Sequence, residues 1–298
     1  MILLFIDNIF SAKKPVISFE IFPPKKDSPI ETIYNTLEGL KDTKPDYISV
    51  TYGAGGSSTN RTVEIAHLIK KKYEIESLAH LTCITSTSQE IDSILSSLKE
   101  NDIKNILALR GDLPQDPAIA FPTPLHFRYA SDLISYIKSK GDFSVGGACY
   151  PEGHPDCESL DNDVINLKSK VEAGLDFLIT QLFFDNDKFY NFIDLMSKYG
   201  ISNIPVSAGI MPVLNTKQIK HITALTSATM PKKFLRIMER YEHLPEALKE
   251  AGIAYATEQI IDLLSWGIDG IHVYTMNKPE IAKKITENIF NIRKCITN

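Results

Sequence analysis

The stretch VISFEIF at residues 16–22 has the pattern of a β-strand, because branched and aromatic residues alternate with Ser18 and Glu20. It is the first of eight β-rich runs, which lie at residues 16–22, 47–52, 78–84, 105–109, 143–148, 177–181, 205–209 and 270–274. Segments with helical spacing separate these runs. Strands that alternate with helices indicate parallel βα units with right-handed crossovers. Eight such units predict an α/β protein built as a (β/α)8 TIM barrel.

The segment after the third run shows the helical pattern most clearly. Ile91, Leu95 and Leu98 lie on one helical face at i, i+4 and i+7 spacing. Thr87 and Glu90 precede them at the spacing of a capping box, which predicts the start of this helix.

The interval from residue 210 to residue 268 is long for one βα connection. It predicts extra helices between the seventh and eighth strands, one of them ending near Trp266. We find no linker composition, so residues 1–298 are expected to form a single domain. An open doubly wound sheet is the alternative. No strand is followed by the GxGxxG spacing and the chain has no GxxxxGK[ST] motif, which favours the barrel.

Composition excludes several classes of function. The 298 residues include 43% hydrophobic and 23% charged residues, which is typical of a globular protein with a sizeable core. Lys and Arg number 32 against 37 Asp and Glu, giving a net charge of −5 with no basic run, so nucleic-acid binding is not expected. No apolar run is long enough to span a bilayer. Residues 1–10 lack the leading positive charge of a signal peptide.

The four cysteines favour a reduced, cytoplasmic compartment, since they form no CxxC pair. Zinc binding through Cys149, His154 and Cys157 is the weaker alternative, because two thiols and one imidazole in a loop are more often unliganded.

Polar residues at strand ends mark the candidate site, because chemistry in this fold belongs at the carboxyl ends of the strands. In the first strand, Glu20 alternates with the apolar Phe19 and Ile21 and is expected to point into the barrel mouth. A carboxylate there is costly to ionise unless a cation is near, so a proton held on Glu20 would make a general acid. The alternative is a Glu paired with a Lys or Arg on the rim.

Three other strands end in polar residues with two interpretations each. His80 in the third strand is either a catalytic or a structural histidine. Arg110 and Asp112 after the fourth strand either face a ligand or pair with each other. Gln181 after the sixth strand suits the edge of a planar heterocycle, or else simply packs in the barrel.

Ten segments together resemble the methylenetetrahydrofolate reductase family, in that family's order across nearly the whole chain. They are SFEIFPP at 18–24, TYGA at 51–54, HLTC at 80–83, LRGD at 109–112, YASDL at 129–133, YPEGHP at 150–155, LKSKVEAG at 167–174, TQLFFD at 180–185, GIMP at 209–212 and YTMN at 274–277. The length is similar to that of the compact bacterial form, a catalytic barrel only.

The resemblance implies a reductase that converts 5,10-methylenetetrahydrofolate to 5-methyltetrahydrofolate, in one-carbon metabolism and methionine biosynthesis. It implies FAD as the cofactor and NADH or NADPH as the reductant, with hydride passing through the flavin in a ping-pong order. Glu20 matches the general acid that protonates N10 of the folate. Asp112 matches the acidic residue beside the flavin, and Gln181 matches the residue that touches both the pterin and the nicotinamide.

The resemblance also assigns binding residues. The implied FAD contacts are Thr51, Tyr52, Ala54, His80, Arg110, Gly111, Asp112, Tyr129, Ala130, Tyr150, His154, Cys157, Asp163, Asn166 and Lys170. The implied substrate contacts are Glu20, Gln181, Thr216 and Lys278. Three positions depart from the family pattern: Ser169 and Lys278 stand where relatives often carry Arg, and Thr216 stands where some carry Phe.

Two alternatives to a free-standing enzyme follow from the same residues. The barrel is either a flavin-containing subunit fed electrons by a partner protein, or a non-catalytic folate- or flavin-binding module. The presence of Glu20, Asp112 and Gln181 argues against the binding module, because a barrel that only binds has no need of a proton donor there. The resemblance also implies a homo-oligomer, a dimer or a tetramer, with small-molecule substrates and no nucleic-acid or membrane partner.

Overall fold

Eight parallel strands close into a barrel in chain order, which confirms the predicted (β/α)8 fold. The computed structural model describes residues 5–24, 28–52, 59–113, 121–215, 217–219, 222, 226 and 228–297. The strands are β1 (Val16–Ile21), β2 (Tyr47–Val50), β3 (Glu76–Thr82), β4 (Asn105–Leu109), β5 (Ser144–Cys149), β6 (Phe177–Thr180), β7 (Val206–Ile210) and β8 (Gly270–Tyr274). Each predicted run overlaps one of them, and β3, β5 and β7 are offset from their runs by one or two residues.

Helices cover the outside of the barrel. The described helices are α1 (Ile6–Ala12), α2 (Glu31–Leu40), α3 (Thr59–Tyr73), α4 (Ser88–Glu100), α5 (Ala130–Lys140), α6 (Leu160–Glu172), α7 (Asn186–Lys198), α8 (Lys232–Tyr241), α9 (Pro245–Trp266) and α10 (Pro279–Thr297), with a 3-10 turn at Lys41–Thr43. The capping box of Thr87 and Glu90 is confirmed at the start of α4. Both α8 and α9 lie between β7 and β8. In the part of the chain that the structure describes, no helix combines the length and apolar character needed to cross a membrane.

The amino-terminal helix α1 closes the end of the barrel where the strands begin, called the lower end below. The sequence did not reveal this role. Its Ile6 and Phe10 are buried against Tyr47 and Phe177, which point inward from β2 and β6. The Ile6 amide donates a 2.9 Å hydrogen bond to Oδ1 of Asn105, so the start of this short helix is anchored to β4. The lower barrel is therefore a packed apolar layer.

The outward faces of the strands form the main hydrophobic core with the surrounding helices. On β1, Ile17, Phe19 and Ile21 are buried in this core, as the alternation predicts. The other face of β1 points into the barrel, where Glu20 stands level with Ser49 on β2 and Tyr274 on β8. The fold thus positions one carboxyl group near the upper end of an otherwise buried interior.

Candidate functional site

The Glu20 carboxyl lies between two imidazoles inside the barrel. Its Oε2 is 3.6 Å from Nε2 of His80 on β3 and 3.6 Å from Nε2 of His272 on β8. The Glu20 side chain is 20% exposed, whereas His80 and His272 are buried. Among the described residues, these two imidazoles are the ion-pair neighbours of Glu20, so the alternative of a rim pair with Lys or Arg is not what the structure shows.

His80 stays uncharged at neutral pH. Burial lowers its pKa to about 4, and the attraction of Glu20 only partly opposes this effect. Because His80 is neutral near pH 7, it does not offset a negative charge on Glu20.

His272 is held from three sides. Its Nδ1 lies 2.7 Å from Oγ of Ser18, one pair of residues below Glu20 on β1. The Tyr47 ring stacks at 6.3 Å with an interplanar angle of 22°, and the Tyr274 ring meets the imidazole edge-on at 5.3 Å. Sequence reasoning did not single out His272. The signal was present, since His272 shares the inward face of β8 with Gly270 and Tyr274.

A cavity of about 670 Å³ opens at the carboxyl ends of β4 and β5 and reaches the first turn of α5 and most of the length of α6, as far as Lys170. Eleven of the fifteen predicted cofactor contacts line it: Arg110, Gly111, Asp112, Tyr129, Ala130, Tyr150, His154, Cys157, Asp163, Asn166 and Lys170. These residues come from four separate segments of the chain. Barrel closure brings them together, as expected for a site built from βα loops.

The remaining predicted cofactor contacts lie elsewhere. Thr51 and Tyr52 follow β2, where the Thr51 amide donates a 3.0 Å hydrogen bond to the Ile21 carbonyl. His80 sits beside Glu20 in the barrel interior, and Ala54 lies outside the described residues. The cavity lining also includes Ser131 and Asp156, which sequence reasoning did not propose, together with Ser169.

Two cations of the cavity differ in their partners. Arg110 donates to Oδ2 of Asp156 at 3.1 Å, which corrects the alternative that Arg110 pairs with Asp112. Nζ of Lys170 donates a 2.7 Å hydrogen bond to the Ala148 carbonyl, and burial lowers its pKa. Among the described residues, no carboxylate lies within salt-bridge distance of the Lys170 amine. Lys170 is thus a desolvated cation facing a cavity, as in many anion sites.

The loop after β5 carries the polar wall of the cavity. Asp163 accepts hydrogen bonds from the His154 amide at 3.2 Å and from Sγ of Cys157 at 3.5 Å. The Tyr150 ring meets the His154 ring edge-on at 4.7 Å, and burial raises the pKa of Tyr150 to about 12. In the described part of the chain, no three His, Cys, Asp or Glu side chains converge as metal ligands.

Gln181 occupies a second, smaller pocket next to the cavity. Tyr150 lines both, so the two spaces lie on either side of this residue. The Gln181 amide donates to the Cys149 carbonyl at 2.7 Å, and its side-chain Oε1 accepts from the Leu182 amide at 2.9 Å. Its side-chain NH2 group is therefore the part available to a ligand.

Of the two other predicted substrate contacts, Lys278 lies in the loop after β8 and Thr216 falls outside the described residues. Lys278 is half-buried just after β8, where its amide donates to the Thr275 carbonyl at 3.0 Å. Neighbouring Asn277 bonds both backbone groups of Phe22, so this loop borders the end of β1. Thr216 lies outside the described residues.

Comparisons with known proteins agree with this arrangement. The family model described as methylenetetrahydrofolate reductase matches residues 5–290. The 5,10-methylenetetrahydrofolate reductase of Escherichia coli K12 is 36% identical over 273 residues, covering 92% of this chain and 90% of that protein. Methylenetetrahydrofolate reductase (NADH) 1 of Arabidopsis thaliana is 35% identical, and the match covers 95% of this chain but 50% of the plant protein.

A solved structure supports the fold independently. An uncharacterized protein from Clostridium thermocellum, described as binding two copies of 5-methyl-5,6,7,8-tetrahydrofolic acid, aligns with a TM-score of 0.66 at 15% identity, covering 97% of this chain and 99% of that one. At this identity the likeness concerns the barrel alone. The family match over nearly the whole length and the identity to the bacterial relative carry the assignment: this chain belongs to the methylenetetrahydrofolate reductase family.

Proposed function

We propose that this chain reduces 5,10-methylenetetrahydrofolate to 5-methyltetrahydrofolate, with FAD as cofactor and NADH or NADPH as reductant. The observation that carries the proposal is the placement of Glu20, an inward carboxyl between His80 and His272 in the barrel of a methylenetetrahydrofolate reductase family member. Reduction of this substrate needs a proton donor and a hydride donor. The barrel interior offers the Glu20 carboxyl, and a ligand-sized cavity opens at the carboxyl ends of β4 and β5.

The cavity fits FAD in size and in chemistry. Its volume of about 670 Å³ lies in the range of small-molecule and cofactor sites. Arg110 and Lys170 supply the cations that a pyrophosphate group needs, and Lys170 lacks a carboxylate partner among the described residues. Tyr129 and Tyr150 add aromatic surface. When bound there, FAD would carry hydride from the nicotinamide to the folate.

Glu20 would supply the proton. A proton on its carboxyl would pass to N10 of the folate, so that the Glu20 O–H bond breaks and an N–H bond forms as the five-membered ring opens to an iminium. Glu20 is partly buried and has the neutral His80 beside it, and its carboxyl is the proton donor in the proposed step. Solvent would return the proton afterwards, since the side chain retains 20% exposure.

Asp112 and Gln181 would act on the substrate from the other side of the mouth. Asp112 lines the cavity, where its negative charge would favour the cationic iminium. The free NH2 group of Gln181 would donate to an acceptor on the pterin and, in turn, on the nicotinamide. One amide serving both ligands is consistent with their alternation in a single pocket.

Anaerobic visible spectroscopy of the purified chain tests this proposal. We expect a yellow protein that NADH or NADPH bleaches and that 5,10-methylenetetrahydrofolate then recolours, with the bleaching rates identifying the reductant. A colourless protein that takes up no added FAD would overturn the flavoenzyme assignment. A yellow protein that neither nicotinamide bleaches would instead support a subunit fed electrons by a partner protein.

A further inference from the structure

The most completely buried histidine of the barrel interior has polar neighbours at both ring nitrogens. His272 is 0% exposed, with Nδ1 2.7 Å from Ser18 Oγ and Nε2 3.6 Å from Glu20 Oε2. Ser49 Oγ also lies 3.5 Å from Nε2. A buried imidazole with two opposed polar neighbours has a defined orientation, because each ring nitrogen that loses its partner would remain unsatisfied.

The contacts of Ser18 fit a hydrogen on Nδ1 of His272. The Ser18 hydroxyl can donate to the Ile271 carbonyl oxygen, 3.4 Å away, and then accepts a hydrogen bond from Nδ1–H of His272. A neutral imidazole protonated at Nδ1 has a bare Nε2 that can only accept. In this tautomer the bare nitrogen faces Oε2 of Glu20, so a hydrogen bond between these two atoms would take its proton from the carboxyl.

We propose that His272 is a positioning residue that accepts a hydrogen bond from the protonated carboxyl of Glu20 and so holds the reactive proton at Oε2. This inference rests on the proposed function, in which Glu20 protonates the folate. The 3.6 Å separation closes to hydrogen-bond length with a small rotation of the Glu20 carboxyl, and such bonds often tighten only when substrate binds. His272 is not consumed, because the proton that reaches the folate comes from Glu20.

His80 does not have the same connection. Its Nε2 is equally far from Glu20, but among the described residues this buried atom has no hydrogen-bond partner. No serine contact comparable to Ser18 fixes the tautomer of His80 within the described part of the barrel. The asymmetry assigns the proton-holding role to His272.

The other titratable neighbours of His272 do not change their charge near pH 7. Burial raises the pKa of Tyr47 to about 12 and that of Tyr274 well above its usual value, so both phenols stay neutral. His80 is neutral as well, since its pKa is about 4. Tyr47, Tyr274 and His80 therefore keep the same charge throughout a pH profile measured around neutrality.

Half-reaction kinetics test the proposal in the holoenzyme. His272→Asn keeps an amide group near the Nδ1 position and removes Nε2, while His272→Gln restores a polar group near Nε2. We expect His272→Asn to slow reoxidation by 5,10-methylenetetrahydrofolate about tenfold or more and to move the alkaline decline of that rate to lower pH. His272→Gln should recover part of the rate. Reduction of the flavin by the nicotinamide should change less than about twofold, because that step needs no proton from Glu20.

Ser18→Ala tests the same connection without touching the imidazole, and Ser207→Ala is its matched control. Both serines are fully buried in the barrel interior, on β1 and β7. We expect Ser18→Ala to shift the pH profile in the same direction as His272→Asn and Ser207→Ala to leave it in place. An unchanged profile in both Ser18→Ala and His272→Asn would overturn the proposal.

A spectroscopic readout separates this inference from the proposed function. Nitrogen NMR of the chain labelled with 15N-histidine, with the His272 signals identified by their loss in His272→Asn, should show a neutral ring protonated at Nδ1. Ser18→Ala should shift that proton towards Nε2. A wild-type ring protonated at Nε2 would overturn the assignment. Failure of the flavin to recolour with folate would overturn the proposed function. The NMR signals of His272 would still show which ring nitrogen carries the hydrogen and whether Ser18 fixes it.

Discussion

The Tyr274 hydroxyl on β8 donates a 2.8 Å hydrogen bond to the Thr180 carbonyl on β6, so the phenol spans the intervening strand β7. It can do so because β7 carries Gly209 at this level. A Cβ on Gly209 would lie 2.3 Å from the Thr180 oxygen and 2.8 Å from the Tyr274 ring. The Tyr274 side chain thus forms part of the floor of the barrel mouth, next to His272 and below the proposed substrate position.

Gly209→Ala is expected to destabilise the protein and displace Tyr274. The added methyl group would meet a backbone oxygen that cannot move freely, so the free energy of unfolding should fall by about 1–3 kcal/mol or more. Urea unfolding measures this change. Tyr274→Phe removes only the hydrogen bond and should cost about 1 kcal/mol. Equal stability of Gly209→Ala and wild type would contradict the close packing described here.

Lys170→Met is expected to weaken FAD binding. The substitution keeps most of the apolar stem and removes the ammonium group of the half-buried Lys170, which lines the cavity, so the dissociation constant should rise about tenfold to a hundredfold. Lys168→Met is the matched control, because Lys168 lies on the same helix α6 but is exposed. Fluorescence titration of the apoprotein with FAD measures both. Similar losses in the two variants would show that general charge, not the cavity, attracts the cofactor.

Periodicity predicted the barrel because the strand signal repeats. Apolar residues alternate along β1, and the inward direction of Glu20 follows from its position between Phe19 and Ile21. The segment after β3 has both a capping box and an apolar face, so α4 was also foreseeable. These features depend on neighbouring residues in the chain, which is the information that a single sequence contains.

Contacts between distant segments were not predictable in the same way. The 2.7 Å contact of His272 with Ser18 joins residues 254 positions apart, and the pair Arg110–Asp156 forms only once the loops after β4 and β5 meet. The packing of α1 against the amino-terminal ends of the strands depends on the same closure. The Ile6 amide donates its hydrogen bond to Asn105, which is 99 positions away in the chain. Family resemblance supplied most of the cavity residues, because its motifs name positions in all four segments that the barrel brings together.

Glu20→Gln is expected to separate the two half-reactions. The amide has the shape of the carboxyl but no acidic proton, so the variant should bind FAD and undergo reduction by the nicotinamide at near wild-type rates. Reoxidation by 5,10-methylenetetrahydrofolate should fall by at least about a hundredfold, the usual contribution of a general acid. Stopped-flow absorbance follows both steps. Wild-type reoxidation in Glu20→Gln would remove Glu20 from the acid role.

Asp112→Asn is expected to raise the reduction potential of the bound flavin. The carboxylate lines the cavity, and a negative charge there disfavours the addition of electrons to a nearby cofactor. The neutral amide should therefore give a flavin that is reduced more easily and that returns hydride to the folate more slowly. Anaerobic dye titration measures the potential. A potential that stays equal to that of the wild type would show that Asp112 does not act on the cofactor by its charge.

Acid should destabilise the protein through His80. Burial lowers the pKa of this histidine from 6.5 to about 4 in the folded state. Between these two pH values the unfolded chain binds a proton at His80 that the folded chain excludes, so the free energy of unfolding decreases as pH falls from 6.5 towards 4, by up to about 3 kcal/mol. Urea unfolding at several pH values measures the slope. His80→Gln cannot titrate and should flatten the dependence, whereas His243→Gln, at an exposed position between α8 and α9, should keep it. Equal slopes in wild type and His80→Gln would show that another group binds the proton.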